Sequence, residues 1–354
     1  MIVGQTKTEA LYRATLLDSS SSLKDFSQDR KKYYRKYVLR ETVEEKDSDA
    51  ITMGKVVETL LMEPELFDDK FYISACAKTP TDNMLNFVEA LYKYTINCTD
   101  EEGNVTRSFE DISKDAFTES GYSGKGTGSY ESVIKKFVGS DAEIYYNEIR
   151  KVRTQNLTVI NTTEVSIAEK IVEQLKTNST TAPIVNLVTS SRYDVLDQLQ
   201  VEGYTIDGHK FKSMLDKVVI DHDKKTVQPY DLKCTWSVEN FYEEYYLYRR
   251  AYIQAFLYYR AMLLLVGDKA SSCHGYQVEY LKFIVCDSTN YYQPLIYTLD
   301  DFDMANAYMG FIHKGRTYPG VQELIAALSW CVETNTWNIS HKNYLSNGIV
   351  NIKG

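Results

Sequence analysis

The 354-residue sequence is poor in proline, with six, and its six cysteines are scattered. Cys76, Cys98, Cys234, Cys273, Cys286 and Cys331 form no CxxC pair. That argues against a zinc knuckle or an iron–sulfur cluster and fits free thiols in a reducing cytoplasm. No run of about 18 uncharged apolar residues is present, so no membrane-spanning helix and no membrane partner are expected. The opening MIVGQTKTEALYRATLL lacks the basic start, apolar core and small-residue cleavage site of a secretory signal, so a cytoplasmic location is expected. Positive charge is also short, with 40 Lys and Arg against 49 Asp and Glu, a formal balance of −9. Long-range attraction to phosphate therefore fails, which weighs against a non-specific DNA-coating protein. It weighs less against an enzyme that recruits a divalent cation to a carboxylate cluster.

What is present is a soluble globular composition, 44% apolar and 25% charged, with 29 tyrosines that read as compositional bias. The length accommodates one large domain or two ordinary ones. Ser19 to Ser22 supply an N-cap for a helix LKDFSQDRKKYYRKYVLR. Its Lys24, Arg30, Lys31, Lys32, Arg35, Lys36 and Arg40 alternate with Tyr33, Tyr34 and Tyr37. This is either a phosphate-facing patch with stacking partners or a solvated face whose tyrosines pack inward. After an acidic linker (41–49), Ile51, Val56, Leu60 and Leu61 mark a helix stopped by Pro64, and Phe71-Tyr72-Ile73 opens a short strand. Gly54 inside that helix costs roughly 1 kcal/mol against alanine, which predicts close packing or ligand approach as compensation.

Residues 77–160 read as a mostly helical elaboration within a single domain, without a second strand set. Helices are predicted at TPTDNMLNFVEALYKY and near 129–138, 141–152 and 162–178. The loop Gly121 to Gly128 contains GKGTG but lacks the GxxxxGK[ST] order and a preceding strand, so it is not read as a nucleotide loop. From 180 onward strands are predicted at 193–204, 209–221 and 226–234, then helices at 237–246 and 248–265. A hairpin QVEYLKFIVC/YYQPLIYTL and helices at 300–314 and 320–334 follow. The order predicts an α/β (α+β) fold with a mixed central sheet flanked by helices.

The chemistry concentrates in HKFKSMLDKVVIDHDKKTVQPYDLKCT. Two apolar-alternating runs joined by His222-Asp223-Lys224-Lys225 read as a β-hairpin. Asp216 lies on the first run, and Asp231 and Lys233, two apart on the second, share a face. Carboxylates on adjacent strands suit Mg²⁺, which takes one or two carboxylates plus waters and substrate oxygens. Lys233 can then orient or deprotonate a water, or offset transition-state charge. By itself this pattern equals a common cross-strand ion pair. In the following YRRAYIQAFLYYRAMLLL, read as one helix, Gln254 and Tyr258 share a face at i, i+4, and Arg249 and Arg250 one turn upstream can meet phosphates.

Asp216, then Asp231-Leu232-Lys233, then Gln254-x-x-x-Tyr258 resembles the PD-(D/E)XK nuclease superfamily and its QxxxY helix. Within it the chain resembles the phage RecE-type (exonuclease VIII-like) group, relatives of lambda exonuclease. The serine-led SSLKDF…YY, the helix from Met53 to Phe67 and the closing segment with Cys331 and Trp337 are similar to that group as well. Where many relatives carry His four residues after the helix glycine, this chain has Glu58, an acid that can still ligate metal. The acid that some relatives place on the preceding strand has no secure match within Asp197 to Glu202, and Asp221 competes with Asp216 as the first acid.

The resemblance implies a restriction-endonuclease-like core spanning the chain and a Mg²⁺-dependent exodeoxyribonuclease, with Mn²⁺ substituting. Glu58, Asp216 and Asp231 would hold metal, Lys233 would handle the nucleophile, and Gln254 and Tyr258 would support the site. It further implies 5′→3′ action on linear double-stranded ends in phage-type recombination, a single-strand annealing protein as partner, and a homo-oligomer. The alternatives are a structure- or sequence-specific endonuclease of the same fold, or a non-catalytic DNA-binding module on that scaffold.

Overall fold

Alternation of apolar residues around one polar turn produces the expected hairpin, and it forms the middle of the main sheet. The computed structural model describes residues 2–3, 7–41, 48–76, 80–122, 128–289 and 293–350. Most of the acidic linker and most of the GKGTG loop lie outside these. The strands are β1 (Ile2–Val3), β2 (Phe71–Ile73), β3 (Thr158–Ile160), β4 (Tyr193–Ile206), β5 (His209–Asp221) and β6 (Thr226–Thr235). They continue with β7 (Gln277–Val278), β8 (Lys282–Asp287), β9 (Leu295–Tyr297), β10 (Gly310–His313) and β11 (Arg316–Pro319). The principal helices are α1 (Glu9–Ala14), α2 (Ser20–Gln28), α3 (Asp49–Met62), α4 (Asp82–Asn97), α5 (Phe109–Glu119) and α6 (Tyr130–Phe137). After them come α7 (Asp141–Gln155), α8 (Thr162–Thr177), α9 (Ala251–Gly267), α10 (Asp301–Met309) and α11 (Val321–Thr334).

The chain divides into two units, one formed by Met1–Met62 with Ala168–Gly354 and the other by Glu63–Ile167. In the first, the sheet runs β1-β4-β5-β6-β8-β9, with β7 also paired to β6. β4–β5, β5–β6 and β8–β9 are antiparallel, whereas β6–β7 and β6–β8 are parallel, so the sheet is mixed. Helix α9 packs against β4, β5 and β6, and α3 packs against β6. β5 is buried on both faces, because Leu215 and Val219 alternate with Val218 and Ile220 and all are buried. The fold is thus mixed α/β, a central mixed sheet flanked by helices. Among the described residues no helix is long and apolar enough to cross a membrane. The second unit packs α4 to α7 around Phe87, Leu91, Ile112, Val133 and Phe137.

Several local expectations change. Helix α5 was not anticipated, and β2 pairs in parallel with β3, a small strand set where none was expected. The basic N-terminal helix breaks at Asp29, whose side chain caps a new turn at Lys31 and whose own backbone is extended. The tyrosines there turn inward: Tyr33 is buried, and both Tyr33 and Tyr34 stack on Trp337. Lys32 and Lys36 pair with Asp25, and Arg35 with Glu41. Residues 242–248 form a π-helix, and α9 starts only at Ala251 because Arg250 adopts φ 56°. The predicted 300–314 helix ends at Met309, where Gly310 (φ 89°) turns the chain into the β10–β11 hairpin. A Cβ built on Gly310 would lie 2.8 Å from the Gly320 nitrogen, so only glycine fits that turn. Gly54, by contrast, is not required by close packing, since a Cβ there would meet nothing within 4 Å.

Candidate active site

Strand pairing sets the site. The β5–β6 ladder runs from Asp221↔Thr226 to Lys217↔Tyr230, so Asp216 and Asp231 stand at the next step. There the Asp216 Oδ2 accepts a hydrogen bond from the Leu232 backbone N–H at 2.8 Å, a side chain filling a place in the ladder. Asp231 is wholly buried, at 0% exposure. Its Oδ1 accepts from the Gln254 Nε2 at 2.7 Å, and its Oδ2 forms an ion pair with the Lys233 ammonium. The Lys233 ammonium is thus the partner of that buried Oδ2, a charge-assisted contact.

The helix over this face is α9, apolar all round as a buried helix must be. Gln254 also donates to the Tyr258 hydroxyl at 2.9 Å, and Tyr258 donates to the Met214 carbonyl at 2.6 Å. The i, i+4 pair thus reaches both catalytic-type strands, holding Asp231 of β6 and the backbone of β5.

Two further residues enter whose presence at the site the sequence alone does not indicate. Gln198 on β4 donates its Nε2 to the Glu58 Oε1 at 2.6 Å. It occupies the step between Asp197↔Lys217 and Leu199↔Leu215, across from Asp216, with φ 50°. The region in which an additional acid was sought therefore presents an amide: Asp197 pairs with Lys217, and Glu202 pairs with Lys7. Lys24, from α2, donates its Nζ to the Gln254 Oε1 at 3.1 Å. Its place on the serine-led helix was legible, but not that it turns into the sheet. Asp221 is not at the site. It is held by Arg192 at 2.8 Å and accepts from the Asp223 and Lys224 backbone at the hairpin turn.

The electrostatics follow from this crowding. Burial, then the charges of Asp231 and Glu58, push the Asp216 carboxyl well above the usual carboxylate range. Burial opposes the Lys233 charge, but attraction to Asp231, Asp216 and Glu58 outweighs it and holds the ammonium protonated more firmly than usual. Lys24 lies on the other side of that balance. Burial and the neighbouring Lys233 charge lower it to about 7, despite Asp231.

Arg249 and Arg250 diverge. The Arg249 guanidinium lies 4.5 Å over the ring of Tyr245, whose hydroxyl donates to the Cys234 carbonyl beside Lys233. Arg250 turns toward Tyr252, Tyr318 and Arg316, where burial lowers its pKa.

Among the described residues no group of three or more His, Cys, Asp or Glu side chains is arranged to hold a metal ion. What is present is a pair of carboxylates, Asp216 and Asp231, with the Glu58 charge acting on Asp216. Mg²⁺ in general needs only one or two carboxylates, because it keeps waters and takes substrate oxygens for its remaining positions.

No family profile and no curated protein matches the chain. Among solved structures it is similar to one from Eubacterium rectale described as a candidate exonuclease, at 12% identity and a TM-score of 0.48. The match covers 99% of this chain and 96% of that one.

Proposed function

We propose that the chain is a metal-dependent deoxyribonuclease of the PD-(D/E)XK type that hydrolyses DNA phosphodiesters, as a 5′→3′ exonuclease on linear double-stranded ends. The observation that carries this reading is Asp231, wholly buried between the Gln254 amide and the Lys233 ammonium, at the same ladder step as Asp216. A carboxyl raised by burial and by neighbouring acids, as Asp216 is, is a recurrent feature of functional sites.

In this reading Asp216 and Asp231, with Glu58 beside them, would hold Mg²⁺, for which Mn²⁺ would substitute. When bound, such a cation would lower the pKa of a water and offset charge on the reacting phosphate. Hydrolysis joins a water oxygen to phosphorus and breaks one P–O ester bond, so negative charge gathers on the phosphoryl oxygens. Lys233, firmly protonated, faces that charge and stabilises it. Gln254 keeps Asp231 in one orientation, and Tyr258 ties the helix to β5. Arg249, exposed beside the end of β6, meets a backbone phosphate away from the scissile one. The single strands produced would pass to an annealing protein, and a homo-oligomer would keep the enzyme on its substrate.

The test is digestion of end-labelled linear duplex beside closed circular DNA, with and without Mg²⁺. Loss of the linear substrate alone, and only with Mg²⁺, is expected. Cleavage of the circle would replace the exonuclease with an endonuclease, and an intact linear substrate would refute the nuclease.

A further inference from the structure

A glutamine amide has one acceptor and two donor positions, and rotating it by half a turn exchanges them. Gln254 is 7% exposed, so the choice is not left to solvent. Its Nε2 serves two acceptors, the Asp231 Oδ1 at 2.7 Å and the Tyr258 hydroxyl at 2.9 Å. Tyr258 spends its own hydrogen on the Met214 carbonyl, so it has none to give back to the amide oxygen. The Oε1 instead accepts from the Lys24 Nζ at 3.1 Å, across 230 residues of sequence.

We propose that Lys24 is a positioning residue: it fixes the amide of Gln254 so that both amide hydrogens point at Asp231 and Tyr258. Without that donor the flipped amide would turn its oxygen toward the Asp231 carboxylate and withdraw the hydrogen bond that orients it. Lys24 arrives on a well-anchored helix. Ser19 and Ser22 form a reciprocal capping box at its start, and Leu23 and Phe26 on either side of Lys24 are buried in the core. Packing alone would be served better by leucine or methionine, since the two ammonium groups of Lys24 and Lys233 repel one another here. A donor is what this place requires, and an amine donates hydrogens whether charged or neutral. The role concerns the orientation of a carboxylate, and its consequence for catalysis rests on the nuclease reading above.

Lys24→Met, Lys24→Arg, Gln254→Met and the Lys24→Met/Gln254→Met double variant of the full chain test it in three measurements. Urea unfolding without metal reads the contact itself: the two single shifts should not add in the double variant. Calorimetric Mn²⁺ binding without DNA should weaken about tenfold in Lys24→Met, in the range seen when a residue supporting a metal ligand is lost. Cleavage of linear duplex should slow by a similar factor with the affinity for DNA unchanged. Lys24→Arg, which restores a donor, should recover most of both, and Lys24→Met should add nothing in the Gln254→Met background.

Additive unfolding shifts, or an undiminished effect of Lys24→Met in that background, would overturn the proposal and make Lys24 a direct contact to DNA. So would weaker DNA binding with Mn²⁺ binding intact, or no recovery with arginine. A parent chain with a coupled Lys24–Gln254 pair that neither binds Mn²⁺ nor cuts DNA refutes the nuclease reading and leaves the orienting contact standing. An active nuclease with an uncoupled pair refutes this inference alone.

Discussion

Gln198 donates to the Glu58 carboxylate at 2.6 Å while its own backbone holds φ 50° in the middle of a strand. Left-handed backbone costs a residue with a Cβ roughly 1–2 kcal/mol, and such strain persists where the surroundings demand it. Here it turns an amide from β4 toward the helix acid, beside Asp216.

Gln198→Gly should therefore be more stable than Gln198→Ala, by about 1 kcal/mol, the reverse of ordinary strand preference. Both lose the bond to Glu58, so their difference isolates the backbone. Equal urea midpoints, or a more stable alanine variant, would show that the strain is absent.

Asp216→Asn should stabilise the metal-free protein. Its carboxyl pKa is raised in the fold, so protonation favours the native state. Asp216's contribution is fully present below the unfolded value of about 3.9 and is lost as pH rises through the raised native one. The variant's advantage should thus open above roughly pH 4 and persist at neutrality, read as a thermal midpoint higher by a few degrees. Added Mn²⁺ should raise the parent's midpoint and not the variant's. A variant less stable than the parent at pH 7 would contradict the crowding of the three acids.

Lys233→Met should reduce cleavage of linear duplex by about 10²-fold or more, the scale of losing a positioned donor in the transition state. DNA binding should persist, because Lys233 is engaged with Asp231 at the reacting centre and Arg249 is the residue read as meeting the backbone. Its counterpart Arg249→Ala should leave the chemical step largely intact and lower the salt slope of DNA affinity by about 1. An Arg249→Ala enzyme with an unchanged slope would remove Arg249 from the interface.

Ser19→Ala removes the side chain that accepts from the Ser22 backbone and should cost about 1 kcal/mol. Because the same helix carries Lys24, Mn²⁺ binding should weaken slightly in step. A full loss of Mn²⁺ binding with stability unchanged would contradict a purely structural cap.

The amino-acid sequence by itself determined the features whose causes are local. The hairpin strands, expected at 209–221 and 226–234 and found to within one residue, follow from period-two apolar alternation around a polar turn, and the serine cap from the residues beside it. The Gln254–Tyr258 pair follows from helical spacing, and Asp216, Asp231 and Lys233 from their places on paired strands. Tertiary structure alone decided what crosses the chain. Gln198 is drawn in by a positive φ that no neighbouring residue announces, and Lys24 by packing of its helix 230 residues from its partner. It also separated Arg249 from Arg250, because one left-handed residue ends the π-helix before α9 begins. Hydrogen-bond partners in a core are chosen by which side chains meet there, and spacing along a chain carries no record of that meeting.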